Sequence, residues 1–117
     1  TVTSIIDGDT IEINTGETIR LIGINAPDEG EKCYAESKTY LRSFLSGKKV
    51  TLEKDIEDKD QKGRLLRYVY ANRMQLNYGM IFFGFAYKHQ SGKNTKYSSL
   101  FEKAENEAKE SNGCLWK

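Results

Sequence analysis

Three short β-favouring runs, Val2 to Ile6, Thr10 to Ile13 and Thr18 to Ile24, follow one another along the start of the chain, separated by the turn compositions Asp7-Gly8-Asp9 and Asn14-Thr15-Gly16. Connections this short join antiparallel strands, because a parallel pair needs a long crossover, so the segment reads as an antiparallel meander. Pro27, the only proline, stops the third run, since it has no amide hydrogen to give a ladder. The polar stretch Asp28 to Lys32 is then expected as an exposed loop, the kind of segment that carries functional side chains.

Tyr34, Leu41, Phe44 and Leu45 recur at near-helical spacing before Gly47, a C-terminal cap, which predicts a first helix. Val50 to Asp55 and Leu65 to Ala71 read as a fourth and fifth strand on either side of the charged segment Glu57 to Lys62. Leu76 to Phe83 is apolar almost throughout; Phe82 and Phe83 would also suit a strand, but its context selects a short buried helix. A turn composition at Ser91-Gly92-Lys93-Asn94 follows, and Ser99 with Glu102 spells a capping box for a helix through about Ser111, ended by Gly113. Five strands with one helix after the third and two after the fifth predict a mainly β fold with helices (α+β), a five-stranded oligonucleotide-binding barrel with three α-helices. Fold alone does not decide function.

The chain of 117 residues is long enough for one compact domain and too short for two ordinary ones. With 18 Lys+Arg against 17 Asp+Glu no global basic field draws in a polyanion, so any nucleic-acid binding must come from a local cluster. No apolar run approaches the length that crosses a bilayer. The sequence begins at Thr1 rather than Met, which leaves localisation open and slightly favours a secreted or cell-envelope protein whose export signal has been removed. Cys33 and Cys114 are not spaced like a zinc site; a bridge between them and a pair of buried free thiols are both open.

Carboxylates and arginines are spread along this β-rich chain in a pattern suited to a phosphodiester. Carboxylate oxygens suit a hard divalent cation and guanidinium forks suit phosphate oxygens. Taken alone, Asp7-Gly8-Asp9 reads as a turn whose aspartates bond their own backbone, and Arg20 and Arg64 as exposed strand arginines. The chemistry rests on the set.

Asp7-Gly8-Asp9-Thr10, Arg20-Leu21-Ile22-Gly23-Ile24-Asn25-Ala26-Pro27, Asp60 with Gly63-Arg64, Leu76-Asn77 before Gly84-Phe85-Ala86, and Ala104-Glu105 with Leu115-Trp116 stand in one order and spacing. In these residues the chain resembles the staphylococcal nuclease-like, or thermonuclease, family over essentially its full length. The resemblance implies a calcium-dependent phosphodiesterase cleaving DNA and RNA with little sequence preference, leaving 3′ phosphate, and acting as a monomer. It implies Asp9, Asn25 and the Ala26 carbonyl as calcium ligands, Arg20 and Arg64 as phosphate-holding catalytic residues, and Asp28 as general base. It also sets Lys62, Tyr87 and His89 beside the substrate, although His89 has no identifiable partner and a plain surface role stays open for it.

The chain departs from the family in three of these places. Asn25 stands where a carboxylate is usual, which removes a negative charge and weakens the expected metal binding. Asp28 stands where a glutamate is usual, an arm shorter by roughly 1.5 Å, and a misplacement of about 1 Å can cost on the order of 100-fold in rate; Glu29 or Glu31 could compensate from the same loop. Lys62 replaces a tyrosine, exchanging a ring or hydroxyl for a point charge. The competing expectation is therefore a catalytically weakened module that binds single-stranded nucleic acid or a protein partner without turnover.

Overall fold

In a computed structural model, which describes residues 1–90 and 92–117, the expected meander forms from β1 (Val2–Asp7), β2 (Thr10–Ile13) and β3 (Thr18–Leu21). β1 and β2 pair antiparallel, as do β2 and β3, with Ile11 opposite Ile5 and Ile19. β5 (Thr51–Glu53) and β6 (Leu65–Ala71) also pair antiparallel, and β6 lies parallel to β3 with Leu66 beside Arg20. The sheet thus runs β1-β2-β3-β6-β5, with the two-residue β7 (Met74–Gln75) added to β6. The first residue of the expected turn at Ser91 lies outside the described residues.

The architecture is mixed α+β with three helices, and the ladders among the described residues do not close into the expected barrel. Its path ends on β1 and on β5, because β5 is only three residues long. The chain entering β5 meets β1 through two backbone bonds instead, Val2 N–H to the Lys48 carbonyl (2.9 Å) and Gly47 N–H to the Val2 carbonyl (3.0 Å).

The third expected strand, Thr18 to Ile24, is in fact two. It breaks after Leu21, and β4 (Ile24–Asn25) starts a separate two-stranded sheet with β8 (Tyr87–Lys88). Gly23 makes the break: its φ is +81°, and a Cβ there would stand 2.6 Å from the Phe101 ring, so only glycine lets the chain pass beneath the last helix.

α1 (Tyr34–Leu45) buries Ser37, Leu41 and Leu45 at four-residue spacing, α2 (Leu76–Phe82) is buried along most of its length, and α3 (Ser98–Glu110) buries Phe101, Ala104 and Ala108. The expected capping box is not made: the cap falls two residues earlier, at Tyr97, with no side-chain cap hydrogen bond. All three helices contribute to one hydrophobic cluster with Ile11, Ile19, Leu21, Ile24 and Tyr68. Asn77, fully buried on α2, stitches helix to sheet by donating to the Ile22 (2.8 Å) and Arg67 (3.2 Å) carbonyls and accepting from Val69 N–H (2.8 Å). No helix among the described residues is long and apolar enough to cross a membrane.

Candidate active site

Asp9 occupies the turn between β1 and β2, where Gly8 lets two other elements close over it. A Cβ at Gly8 would lie 2.7 Å from that of Ala26 and 3.0 Å from that of Ser37, so the loop after β4 and helix α1 can approach only a glycine. Asp9 is buried, yet both carboxylate oxygens are occupied: Oδ1 accepts from the Thr10 hydroxyl (2.9 Å) and Oδ2 from the Ala26 amide (2.8 Å). The turn that the sequence suggests is present as well, because Asp7 Oδ1 accepts the Asp9 amide (3.1 Å). Aspartate here serves the turn and the site together.

Strand register brings the first arginine to this carboxylate. Thr10 is directly opposite Arg20 across β2 and β3, so the two side chains share a face beside Asp9. Arg20 Nη2 stands 3.5 Å from Asp9 Oδ2 and 3.5 Å from Asn25 Oδ1, and Nη1 donates to the Leu21 carbonyl (2.7 Å). Asp9, Arg20, Asn25 and Ala26 are therefore one cluster. Burial acts to raise the Asp9 carboxyl, but the hydrogen bond with Asp7, the Arg20 charge and the Ala26 amide outweigh it and hold Asp9 below the usual carboxylate range. Burial and then the neighbouring Asp9 push Asp7 up to about 6.

The second arginine arrives through the parallel β3·β6 pairing. Leu66 sits beside Arg20, and Arg64, two positions earlier, returns to the same side of the sheet. Arg64 Nε donates to Asp60 Oδ2 at 2.6 Å, while Asp60 Oδ1 accepts the amides of Lys62 (2.9 Å) and Arg64 (3.0 Å). Among the described residues this grip uses only Nε and leaves both terminal nitrogens of the guanidinium for a ligand. Burial would raise the Asp60 carboxyl, but the Arg64 amide and guanidinium outweigh it and depress it.

Arg20 and Arg64 line one open cleft of about 520 Å³ with Lys62, His89, Lys59, Glu57 and Gln90 among its walls. Its cations are Arg20, Lys59, Lys62 and Arg64, against Glu57 and Asp60, and Asp60 is already committed to Arg64. A nearly neutral chain thus carries a locally basic cleft, which suits a polyanion.

Tyr87 and Asp28 stand apart from this cleft lining. Tyr87 pairs with Asn25 in the small sheet, and its ring meets Trp116 edge-on at 5.3 Å. Asp28 is exposed on its loop, where its amide donates to Glu31 Oε1 (2.6 Å) and its carbonyl accepts the Glu31 amide (2.9 Å). Three features escape the sequence reading: the clamp of Asp60 on Arg64, the cleft positions of Glu57 and Gln90, and the support of Tyr87 by Trp116. The four-residue spacing of Asp60 and Arg64 around Gly63 was the available signal for the first; the others join residues far apart in the chain. The open question of the cysteines closes as a disulfide between Cys33 and Cys114.

The donor set around Asp9 is entirely oxygen: its buried carboxylate, the Asn25 amide oxygen beside the same guanidinium nitrogen, and the Ala26 main chain whose amide is tied to it. Hard oxygen donors of this kind fit a divalent oxygen-seeking cation, and the raised Asp7 carboxyl beside Asp9 marks a place where a second negative charge is costly without a cation.

Residues 18–117 match the family described as staphylococcal nuclease homologue. The chain is similar to a thermonuclease of Staphylococcus intermedius, at 32% identity over 96% of this chain and 72% of that protein. It is similar to a thermonuclease of Staphylococcus hyicus at 29% identity, with the same two coverages of 96% and 72%. An uncharacterised endonuclease of Escherichia coli O157:H7 is 32% identical over 98% of this chain and 74% of its own length.

Proposed function

Because the chain belongs to the staphylococcal nuclease homologue family, we propose that it is a calcium-dependent nuclease hydrolysing phosphodiester bonds of DNA or RNA. One observation carries this reading: Arg20 and Arg64 share a cleft, and Arg20 stands 3.5 Å from the buried Asp9 carboxylate. A surface ion pair has no need of a second, separately aimed guanidinium in the same basic hollow.

Asp9, Asn25 and the Ala26 carbonyl are the residues that would hold calcium, which when bound supplies charge neutralisation at phosphorus and a water of increased acidity. Arg20 and Arg64 bind the phosphate and neutralise the charge that builds on its equatorial oxygens in the transition state. Arg64 is suited to this because Asp60 fixes its Nε and leaves a two-pronged face. Asp28 accepts the proton of the attacking water; the new bond joins the water oxygen to phosphorus, and the bond to the 5′ oxygen breaks, that oxygen taking up a proton from solvent water in the open cleft. The products carry a 3′ phosphate and a 5′ hydroxyl. Lys62 and His89 lie along the strand's path in the cleft, and Tyr87, outside that lining, flanks Asn25 across the small sheet.

The single hydrophobic cluster shared by all three helices supports reading residues 1–117 as one domain. The disulfide supports an oxidising compartment, outside the cytoplasm. Incubation with single-stranded DNA in calcium, in chelator, and with Arg64→Ala tests the proposal. Calcium-dependent cleavage that the substitution abolishes is expected. Cleavage that persists in chelator defeats the calcium mechanism, and binding without cleavage defeats the enzymatic reading in favour of a binding module.

A further inference from the structure

The acidic loop that carries Asp28 is fastened at two points. At one end the Ala26 amide is held by Asp9, and at the other Cys33 is bonded to Cys114. Between them, the bonds of Asp28 with Glu31 and of the Tyr34 amide with the Glu31 carbonyl (3.2 Å) shape the loop without tying it to the body. One further link, from Lys32 Nζ to the main-chain oxygen of Lys117 (2.7 Å), runs to the same C-terminal segment as the disulfide.

That C-terminal segment is a firm post. Its 3-10 turn, Cys114–Trp116, is held by the Leu115 amide on the Gly84 carbonyl (2.9 Å) and by the burial of Leu115. Trp116 packs on Tyr87, which is the partner of Asn25 across β4 and β8. One turn therefore braces the site from both sides, through Tyr87 toward Asn25 and through Cys33 toward Asp28. Cys33 itself stands in the left-handed region, φ 68°, which is uncommon for a residue with a Cβ although Asn72, Arg73 and Asn112 also adopt it in this chain. Freed from its partner, Cys33 loses the covalent tie that fixes this end of the loop to the 3-10 turn, and the loop would move more freely.

We propose that Cys33 and Cys114 are positioning residues whose disulfide holds the Asp28 loop in its working place, so that the redox state of this bridge sets turnover. This rests on the nuclease reading above for its consequence, though not for its geometry. Reduction takes two electrons and two protons from a small dithiol, which leaves as its own disulfide, and yields two thiols at Cys33 and Cys114. The sheet, with β1 to β3 held by their own ladders, stays intact while residues 28–33 loosen.

The test compares the full chain in its oxidised form, after reduction with dithiothreitol and confirmation of two free thiols, and as the Cys33→Ser/Cys114→Ser variant. Amide hydrogen exchange is followed at residues 28–34 and in β1 to β3, alongside kcat and KM on single-stranded DNA. Expected on reduction are loop exchange faster by about tenfold, unchanged exchange in the sheet, and a kcat lower by about tenfold with KM within about threefold, as suits a displaced general base. Reoxidation restores all of them, and the double variant behaves as the reduced protein does. Loop exchange or kcat that ignores the bridge overturns the proposal, and so does a reduction that melts the sheet with the loop. Should the oxidised protein not cleave DNA at all, the nuclease reading fails, while the exchange comparison still decides whether the bridge anchors the loop.

Discussion

Asp60→Asn isolates the step by which this fold aims an arginine. The substitution keeps Oδ1 as an acceptor for the Lys62 and Arg64 amides and removes the charge that holds Arg64 Nε at 2.6 Å. A hydrogen bond to a charged group is worth about 1.5–3 kcal/mol, but these side chains are 20% and 29% exposed, and solvent screening brings the expected loss of folding stability to about 1 kcal/mol. The functional loss is separate. An arginine no longer held must give up its rotamer freedom on meeting phosphate, at about 1–1.5 kcal/mol, so kcat/KM should fall by about five- to tenfold at 1.4 kcal/mol per decade. Asp60→Ala also strips the two amides of their acceptor, so it should lower the urea midpoint further while costing little more in kcat/KM. The carboxyl of Asp60 is depressed in the fold, so its contribution is complete above the ordinary carboxylate range and is lost as pH falls through the folded value. The parent should accordingly lose stability more steeply than Asp60→Asn below about pH 4. Steady-state cleavage of single-stranded DNA and urea titrations measure both effects. A kcat/KM for Asp60→Asn within about twofold of the parent, or above it, would refute the argument that the clamp preorganises Arg64.

Asn25→Asp restores a negative charge beside Asp9 and should tighten calcium by about tenfold in direct titration; an unchanged affinity removes residue 25 from the donor set. Asp28→Glu lengthens the arm of the proposed base and should raise kcat on the order of tenfold, whereas no gain points to another group as the one that orients the water. Asn77→Ala deletes three hydrogen bonds inside the protein and should cost about 3 kcal/mol in urea denaturation, a loss of under about 1 kcal/mol being incompatible with the stitch described. Gly8→Ala forces a Cβ to within 2.7 Å of Ala26. Overpacking of this kind costs about 1–3 kcal/mol, and calcium affinity should weaken with it, so full stability with unaltered binding would show that the loop and α1 need not close on Asp9.

Period and punctuation in the chain determined the strands β1, β2, β5 and β6, the three helices and their order, because alternation, helical spacing and turn residues act locally. The residue types at Asp9, Arg20 and Arg64 likewise raised the expectation of a hard cation and a phosphate, with Asn25 added by resemblance. Only tertiary structure decided what depends on contacts distant in sequence. Phe101 lies over Gly23 and splits the third strand, a contact no local pattern encodes. Tyr97 precedes α3 in place of a made capping box, since packing outweighs a cap. The sheet stops at β5 where a barrel was expected, and Cys33 finds Cys114 across 81 positions. The parallel β3·β6 register brings Arg20 and Arg64 to one cleft, and Asp28, named by resemblance alone, stands on a loop outside that lining. The physical reason is the same throughout: local propensity selects which elements form, whereas their mutual placement is settled by burial and hydrogen bonding between segments that no short window of sequence contains together.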